Sequence, residues 1–139
     1  MGNHLTFKYL IPVNPIPKKN SQDILTNTKT GKPFIKQNPR YEAFATAAAY
    51  FLKPKPQTPI DYPVNVKAVY YRDSRRKVDT SNLDEALHDI LVDNGILKDD
   101  CRDIIASTDG TRTFYDKENP RVELEITPYE GEYEKWEKA

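Results

Sequence analysis

Residues 64–100 of the chain read VNVKAVYYRDSRRKVDTSNLDEALHDILVDNGILKDD, and this segment contains the clearest strand and helix patterns of the sequence. Apolar and polar residues alternate from Val64 to Tyr70, which predicts a strand with one buried face. A basic run over residues 72–77 follows that strand. Beyond it, an apolar stripe recurs at helical spacing and is formed by Leu83, Leu87, Ile90 and Leu91. Since Asn94-Gly95 is a typical helix C-terminus, the pattern predicts a helix over residues 80–94.

The sequence before this segment predicts further elements of both kinds. Alternating residues over 5–11 predict a strand, and Thr30-Gly31 predicts the turn of a short hairpin. Asn38-Pro39 is a typical helix start, an N-cap followed by proline, and the helical spacing that follows it extends to Leu52. The first half of the chain therefore contributes a strand, a hairpin and a helix.

After the segment, residues 103–108 and 121–127 are predicted to be strands. The whole pattern favours an α+β fold, with a single small mixed β-sheet and two main helices on one of its faces. We expect one domain over residues 1–139, because a chain of this length supports one hydrophobic core. Residues 129–139 are predicted to be a loose acidic C-terminal tail.

The composition excludes several classes of protein. Hydrophobic residues are 37% and charged residues 30% of the chain, and no window approaches the ~18 apolar residues of a membrane span. The first residues lack the apolar run of a secretory leader. Cys101 is the single cysteine, so no disulfide forms within one chain. These features predict a cytoplasmic protein without a membrane partner.

The net charge of zero conceals two halves of opposite sign. Residues 1–77 contain 14 Lys and Arg against 4 Asp and Glu, a net charge of +10. Residues 78–139 contain 7 Lys and Arg against 17 Asp and Glu, a net charge of −10. Such asymmetry is typical of a chain with an electrostatic partner, although the two halves could also pair with each other.

The acidic residues of the second half have a spacing that suits a metal ion. Asn82, Glu85 and Asp89 fall on one side of the predicted helix, away from its apolar stripe. Asp99-Asp100 follow that helix in a loop. Carboxylates gathered without cations repel one another, and a divalent metal relieves that repulsion. The alternative is that Asp79 caps the helix and the other acids form a solvated face.

With these residues, the sequence resembles the RusA family of Holliday-junction resolvases. The similar pattern is formed by Asp79-Thr80-Ser81-Asn82-Leu83, Asp89, Leu91, Gly95 and Asp99-Asp100. The segment Pro15-Ile16-Pro17-Lys18-Lys19-Asn20-Ser21 also looks like the family's proline-and-lysine segment after the first strand. The resemblance implies a dimeric Mg²⁺-dependent endonuclease, often carried by prophages, that cuts four-way DNA junctions in recombination and repair.

The resemblance assigns roles to individual residues and also exposes two departures. The family's first catalytic acid falls on Asp79 and its third on Asp100, with Asp99 beside it. The second acid falls on Ser81, and the family's helix lysine falls on Glu85. We interpret Glu85 as a replacement for the missing carboxylate, because residues four apart share a helix face.

The predicted site follows from these assignments. Mg²⁺ is the expected cofactor, with Mn²⁺ as a substitute, and its predicted ligands are Asp79, Asp100, Glu85 and Asp99. The predicted DNA contacts are Lys18, Lys19, Arg75, Arg76 and Lys77. Ser81, Asn82 and Asp89 are predicted to support the site. The expected partners are branched DNA and a second copy of the chain, in a bacterial or phage-encoded protein. The alternative is a weak or inactive relative that only binds branched DNA.

Overall fold

The computed structural model describes residues 5–18, 22–26, 28–37 and 39–136. In chain order, its elements are β1 (Phe7–Ile11), β2 (Gln22–Thr26), β3 (Pro33–Gln37), α1 (Pro39–Phe51), β4 (Val64–Arg72), α2 (Thr80–Asp93), β5 (Ile105–Ser107), β6 (Arg112–Tyr115) and β7 (Arg121–Pro128). The predicted α+β class is confirmed, with two helices and one mixed five-stranded sheet.

The sheet is organised around β4, whose alternating sequence buries one face. Val64, Val66, Ala68 and Tyr70 are buried, whereas the residues between them are partly exposed. On one side β4 pairs antiparallel with β7, which pairs in turn with β1. On its other side β4 pairs in parallel with β5 and then with β6. The predicted hairpin is also confirmed, since β2 and β3 pair antiparallel as a separate ribbon.

The two helices cover the buried face of the sheet. The apolar stripe of α2 is buried and comprises Leu83, Ala86, Leu87, Ile90 and Leu91, and α1 adds Tyr41, Phe44 and Ala48. These side chains join those of β4, β7 and β1 in one hydrophobic cluster. Gly95, at a φ of 73°, ends α2 because an L side chain rarely adopts that conformation. The predicted helix stop is therefore confirmed.

The prediction for the later strands needs one correction and one addition. The strand predicted over 103–108 is shorter, because Ile104 and Ile105 donate backbone hydrogen bonds to the carbonyl of Cys101 and form a turn there. Strand β6 was not predicted, since its four residues have no alternating apolar pattern. It forms through backbone pairing with β4 at the edge of the sheet.

The described part of the predicted tail contains no helix or strand, but it contacts the domain. The buried Asp103 accepts hydrogen bonds from the Tyr133 hydroxyl (2.8 Å) and the Trp136 backbone N–H (3.2 Å). The Arg102 guanidinium lies 4.1 Å from the Trp136 ring and 5.2 Å from the Tyr133 ring. Residues up to 136 therefore fold back onto the loop that follows α2.

Candidate active site

The beginning of α2 presents Asp79 to solvent. Asp79 is the N-cap residue, but its carboxylate makes no capping hydrogen bond. Its backbone carbonyl instead accepts the N–H groups of Asn82 (3.0 Å) and Leu83 (3.3 Å). The alternative in which the Asp79 side chain caps the helix is therefore wrong, and its exposed carboxylate keeps its oxygen atoms available for a ligand.

Further along α2, a polar face brings several titratable side chains together. Asp84, His88 and Asp89 lie on this face. Asp100 lies in the loop after the helix, and it is close enough for its charge to act on His88, as the charges of Asp84 and Asp89 do. We call these four residues the acid cluster. The loop reaches this position because residues 96–98 pair with Ile60, which accepts the Lys98 N–H and donates to the Ile96 carbonyl, both at 2.9 Å.

Asp84 anchors the acid cluster to the sheet. Its carboxylate accepts a hydrogen bond of 2.6 Å from the hydroxyl of Tyr70, on the buried face of β4. Burial raises the pKa of Asp84, while the Tyr70 hydrogen bond and His88 act to lower it. Burial, together with the Asp84 charge, holds the pKa of Tyr70 well above its usual value. The pair links α2 to β4 by a hydrogen bond.

His88 occupies the centre of the acid cluster in a largely buried position. Burial lowers its pKa, and the charges of Asp84, Asp100 and Asp89 act in the opposite direction. Its Nε2 atom is buried and has no hydrogen-bond partner among the described residues. An orphaned ring nitrogen beside three carboxylates is a group that can exchange a proton or orient a water molecule.

Asp89 is neutralised by a residue that was predicted to contact DNA. The Lys18 ammonium lies 3.3 Å from the Asp89 carboxylate, and both side chains are about one-third exposed. Lys18 thus connects the proline-rich segment after β1 to α2 instead of pointing freely to solvent. Lys19, the other predicted contact in this segment, lies outside the described residues.

The paired aspartates after α2 are close to each other and exposed. The Asp99 carboxylate accepts the backbone N–H of Asp100 at 2.7 Å. Partial burial, the Asp99 side chain and the charge of Asp89 together raise the pKa of Asp100. Such crowding of negative charge disfavours ionisation and is relieved by a bound cation.

The predicted metal ligands do not form a single group. Within the described residues, no three His, Cys, Asp or Glu side chains are placed so that they could hold one metal ion. Asp79 precedes the first turn of α2, whereas Asp100 lies beside its third turn. Glu85 is exposed between them, one turn after the exposed Ser81, and the half-buried Asn82 lies in the first turn. At the α-helical rise of about 1.5 Å per residue, Asp79 and His88 are roughly 13 Å apart along the helix axis.

A dense set of arginines lies before α2, in the residues 72–78 that we call the basic loop. Arg72 is half-buried, and its Nε atom has no hydrogen-bond partner in the described part of the chain. Burial lowers the pKa of Arg72, and the charges of Arg40 and Arg76 lower it further, against the opposing effect of Asp73. These residues line a cavity of about 260 Å³. A site with excess positive charge of this kind suits a phosphate.

The predicted contacts Arg75, Arg76 and Lys77 are all exposed in this loop. Sequence patterns missed Arg40 and Arg72 as a pair, because only tertiary packing brings Arg40, at the start of α1, to the cavity that Arg72 lines at the end of β4. They also missed the Asp84–Tyr70 pair. The four-residue spacing of Asp84 and His88 on α2 was the available signal that these two side chains are neighbours, and no sequence pattern indicates the Tyr70 contact. Nothing in the sequence indicates Arg40.

The fold and the two charged surfaces fit a protein that acts on a polyanion. Among the described residues, no helix is long and apolar enough to cross a membrane. The sequence model of the family described as Endodeoxyribonuclease RusA matches residues 12–127. This match spans most of the 139 residues, so the chain belongs to the RusA endodeoxyribonuclease family, whose members act on branched DNA. No individual curated protein matches the chain. The predicted family is confirmed.

Proposed function

We propose that this protein is a Mg²⁺-dependent endodeoxyribonuclease that hydrolyses phosphodiester bonds in four-way junctions, in DNA recombination and repair. The proposal is carried by one observation: within a RusA family domain, exposed aspartates precede and follow α2 in the chain, and the basic loop lies immediately before the first of them. Carboxylates and guanidinium groups on adjoining surfaces suit the two requirements of the reaction, a divalent cation and a phosphate backbone.

The donor set fits magnesium. Mg²⁺ usually takes one or two carboxylates and completes its shell with water and phosphate oxygens, so a group of three protein ligands is not required. Asp79 has no capping bond, and Asp99 and Asp100 are exposed with crowded charge. When bound, the metal would stabilise the negative charge that develops on the phosphate during hydrolysis. Mn²⁺ accepts the same oxygen donors.

The chain's own side chains supply the remaining functions. Arg72, Arg76 and Lys77 hold the phosphate backbone beside the start of α2. Glu85 restores the carboxylate that Ser81 lacks. His88, whose Nε2 atom has no partner in the described chain, exchanges a proton or orients water within the acid cluster.

In a dimer, aspartates from two copies of the chain can together form one metal site. Asp79 precedes α2 and Asp100 follows it in the chain, and within the described residues neither belongs to a group of three side chains that could hold one metal ion. In a two-fold dimer, Asp79 of one copy can face Asp100 of the other, and two such sites match the two strands cut in a four-way junction.

The decisive experiment incubates the protein with a labelled four-way junction and a matched linear duplex, with Mg²⁺ or with EDTA. We expect paired nicks on the junction alone, only with Mg²⁺, and their loss in Asp79→Asn, Asp100→Asn and Glu85→Gln. Asp109→Asn is the matched control, because Asp109 is an exposed aspartate at the turn before β6. Unchanged cutting by Asp79→Asn would refute the proposal. Cutting by Ser81→Asp but not by the natural chain would identify an inactive, DNA-binding relative.

A further inference from the structure

The edge strand β6 exposes two neighbouring aromatic rings. Phe114 is 49% exposed and Tyr115 is 39% exposed, although most large apolar side chains of the domain are buried. In the described structure β6 pairs only with β4, which leaves its other edge open. Adjacent residues of a strand point to opposite faces of the sheet, so β6 presents one ring on each face.

Tyr115 lies against the basic loop. The Arg75 guanidinium is 4.0 Å from the centre of its ring, a cation–π contact. Next to this pair is a cavity of about 320 Å³, whose lining includes four cationic residues and no acidic one. The cations are Arg72, Arg75, Arg76 and Lys77. The cavity therefore combines an aromatic surface with a lining of excess positive charge.

Phe114 ends a row of side chains that crosses the sheet. Tyr71 of β4 is directly opposite Arg121 on β7 and Phe114 on β6, so these two residues flank it from opposite sides. The Arg121 guanidinium lies 3.7 Å from the Tyr71 ring centre. The Phe114 ring stacks on Tyr71 with a centroid distance of 5.5 Å and an interplanar angle of 28°. The exposed side of Phe114 is the open end of this stack.

The aromatic edge is attached to the start of α2. The hydroxyl groups of Thr113 and Thr80 are 2.7 Å apart and share a hydrogen bond, and Thr80 follows Asp79 directly. A nucleotide held on β6 would therefore lie beside the candidate active site and its phosphate-binding arginines.

We propose that β6 is a stacking platform for unstacked bases at the branch point of DNA, with the Tyr115 ring on one face of the sheet and the Phe114 ring on the other. The inference rests on the proposed function, and it names the part of the substrate that β6 recognises. In a continuous duplex the base faces are covered by their neighbours, whereas a branch point or a single strand leaves some of them free. Aromatic rings among cations bind such nucleotides through base stacking together with phosphate contacts.

The test measures DNA binding in EDTA, so that cutting does not contribute. The probes are a four-way junction with 2-aminopurine at the branch point, a single strand with the same label and the matched duplex. We expect Tyr115→Ala and Phe114→Ala each to weaken binding to the junction and the single strand by about 5- to 150-fold. Duplex affinity should remain unchanged, and Tyr115→Phe should bind as the natural chain does, because it keeps the ring.

Tyr50→Ala is the matched control. Tyr50 is 67% exposed on α1 and also carries a cation, Lys53, at 4.8 Å from its ring centre, but it does not line the basic cavity. Thermal unfolding of every variant shows whether the fold is retained, and the change in 2-aminopurine fluorescence on binding of the unmutated chain reports stacking without any mutation.

The outcomes separate the platform from the proposed nuclease function. Equal weakening of junction and duplex binding, or none in Tyr115→Ala and Phe114→Ala, overturns the platform even if the natural chain cuts junctions. Selective weakening together with a fluorescence change supports it, even if the natural chain does not cut. A natural chain that binds neither the junction nor the single strand refutes both.

Discussion

The acid cluster and the basic loop lie close together in the chain, but the fold uses their charges differently. In the acid cluster, Asp84 is bonded to Tyr70 and Asp89 to Lys18, and His88 is largely buried. In the basic loop, Arg76 and Lys77 are exposed, and no carboxylate of the described chain forms an ion pair with them. The first region is therefore shaped by folding, whereas the second remains available to a ligand.

Substitutions in the acid cluster should therefore change stability, whereas substitutions in the basic loop should change DNA binding. Removing a partner from a half-buried charge leaves that charge unsatisfied, which costs free energy of unfolding. Removing an exposed cation costs little stability, because exposed ion pairs contribute little. Its effect should appear only when DNA is present.

The largest expected effect concerns Asp79 and Asp100. Asp79→Asn and Asp100→Asn should each lower the rate of junction cutting at least about 100-fold. When the two inactive variants are mixed and allowed to exchange subunits, half of the dimers are mixed. In a site shared between copies, each mixed dimer regains one intact site, so cutting should return to about a quarter of the natural level. No recovery on mixing would mean that each chain carries a complete site.

The next effect tests the anchoring of the acid cluster. Tyr70→Phe removes the hydroxyl that donates to Asp84, and we expect the free energy of unfolding to fall by about 1–3 kcal/mol. Urea denaturation measures this change. Tyr9→Phe is the control, since the Tyr9 hydroxyl donates to the neutral Pro54 carbonyl (2.7 Å) and its loss should cost about 1 kcal/mol. A smaller effect for Tyr70→Phe than for Tyr9→Phe would contradict this interpretation of the Asp84 contact.

A binding effect without a stability effect is expected in the basic loop. Lys77→Ala should leave urea denaturation unchanged and weaken binding to every DNA probe to a similar degree. The slope of log affinity against log salt concentration should become shallower by about 1, because one phosphate contact is lost. Lys55→Ala, at an exposed lysine in the connector after α1, is the control. If both variants alter the slope equally, the basic loop has no special contact with phosphate.

The smallest effect is the pH dependence that His88 contributes. Burial makes the His88 pKa lower in the folded chain than its ordinary value of 6.5. Below that value the unfolded chain binds more protons than the folded chain, so the free energy of unfolding should decrease as the pH falls. The raised pKa of Asp84 has the opposite effect in a lower pH range, which begins above its ordinary pKa of 3.8. In that range the folded chain binds more protons than the unfolded chain, so the free energy of unfolding increases as the pH falls. His88→Gln should therefore reduce the loss of stability between about pH 7.5 and about pH 5.5. A variant with the same loss as the natural chain would exclude His88 as its source.

Local patterns predicted most of the fold and fewer features of the site. The helices and β4 were predictable because their apolar residues recur at the period of the element. β6 was not, because its stability comes from backbone pairing with β4, which leaves no pattern in its own four residues. Lys18 looked like a free cation in the sequence, and only the packing of the proline-rich segment against α2 gives it Asp89 as a partner.

Asp103 has a consequence for how members of one family can diverge. The family match ends at residue 127, yet Tyr133 and Trp136 beyond it attach to Asp103, three positions after Asp100. A segment outside the matched residues thus makes hydrogen bonds to the loop that contains the paired aspartates. Substitutions of Tyr133 or Trp136 should therefore alter the loop, although both residues lie outside the part of the chain that the family model matches. An affinity tag or fluorophore fused to the C-terminus would lie next to these contacts with Asp103 and can disturb them. Activity comparisons should therefore use an untagged chain as the reference.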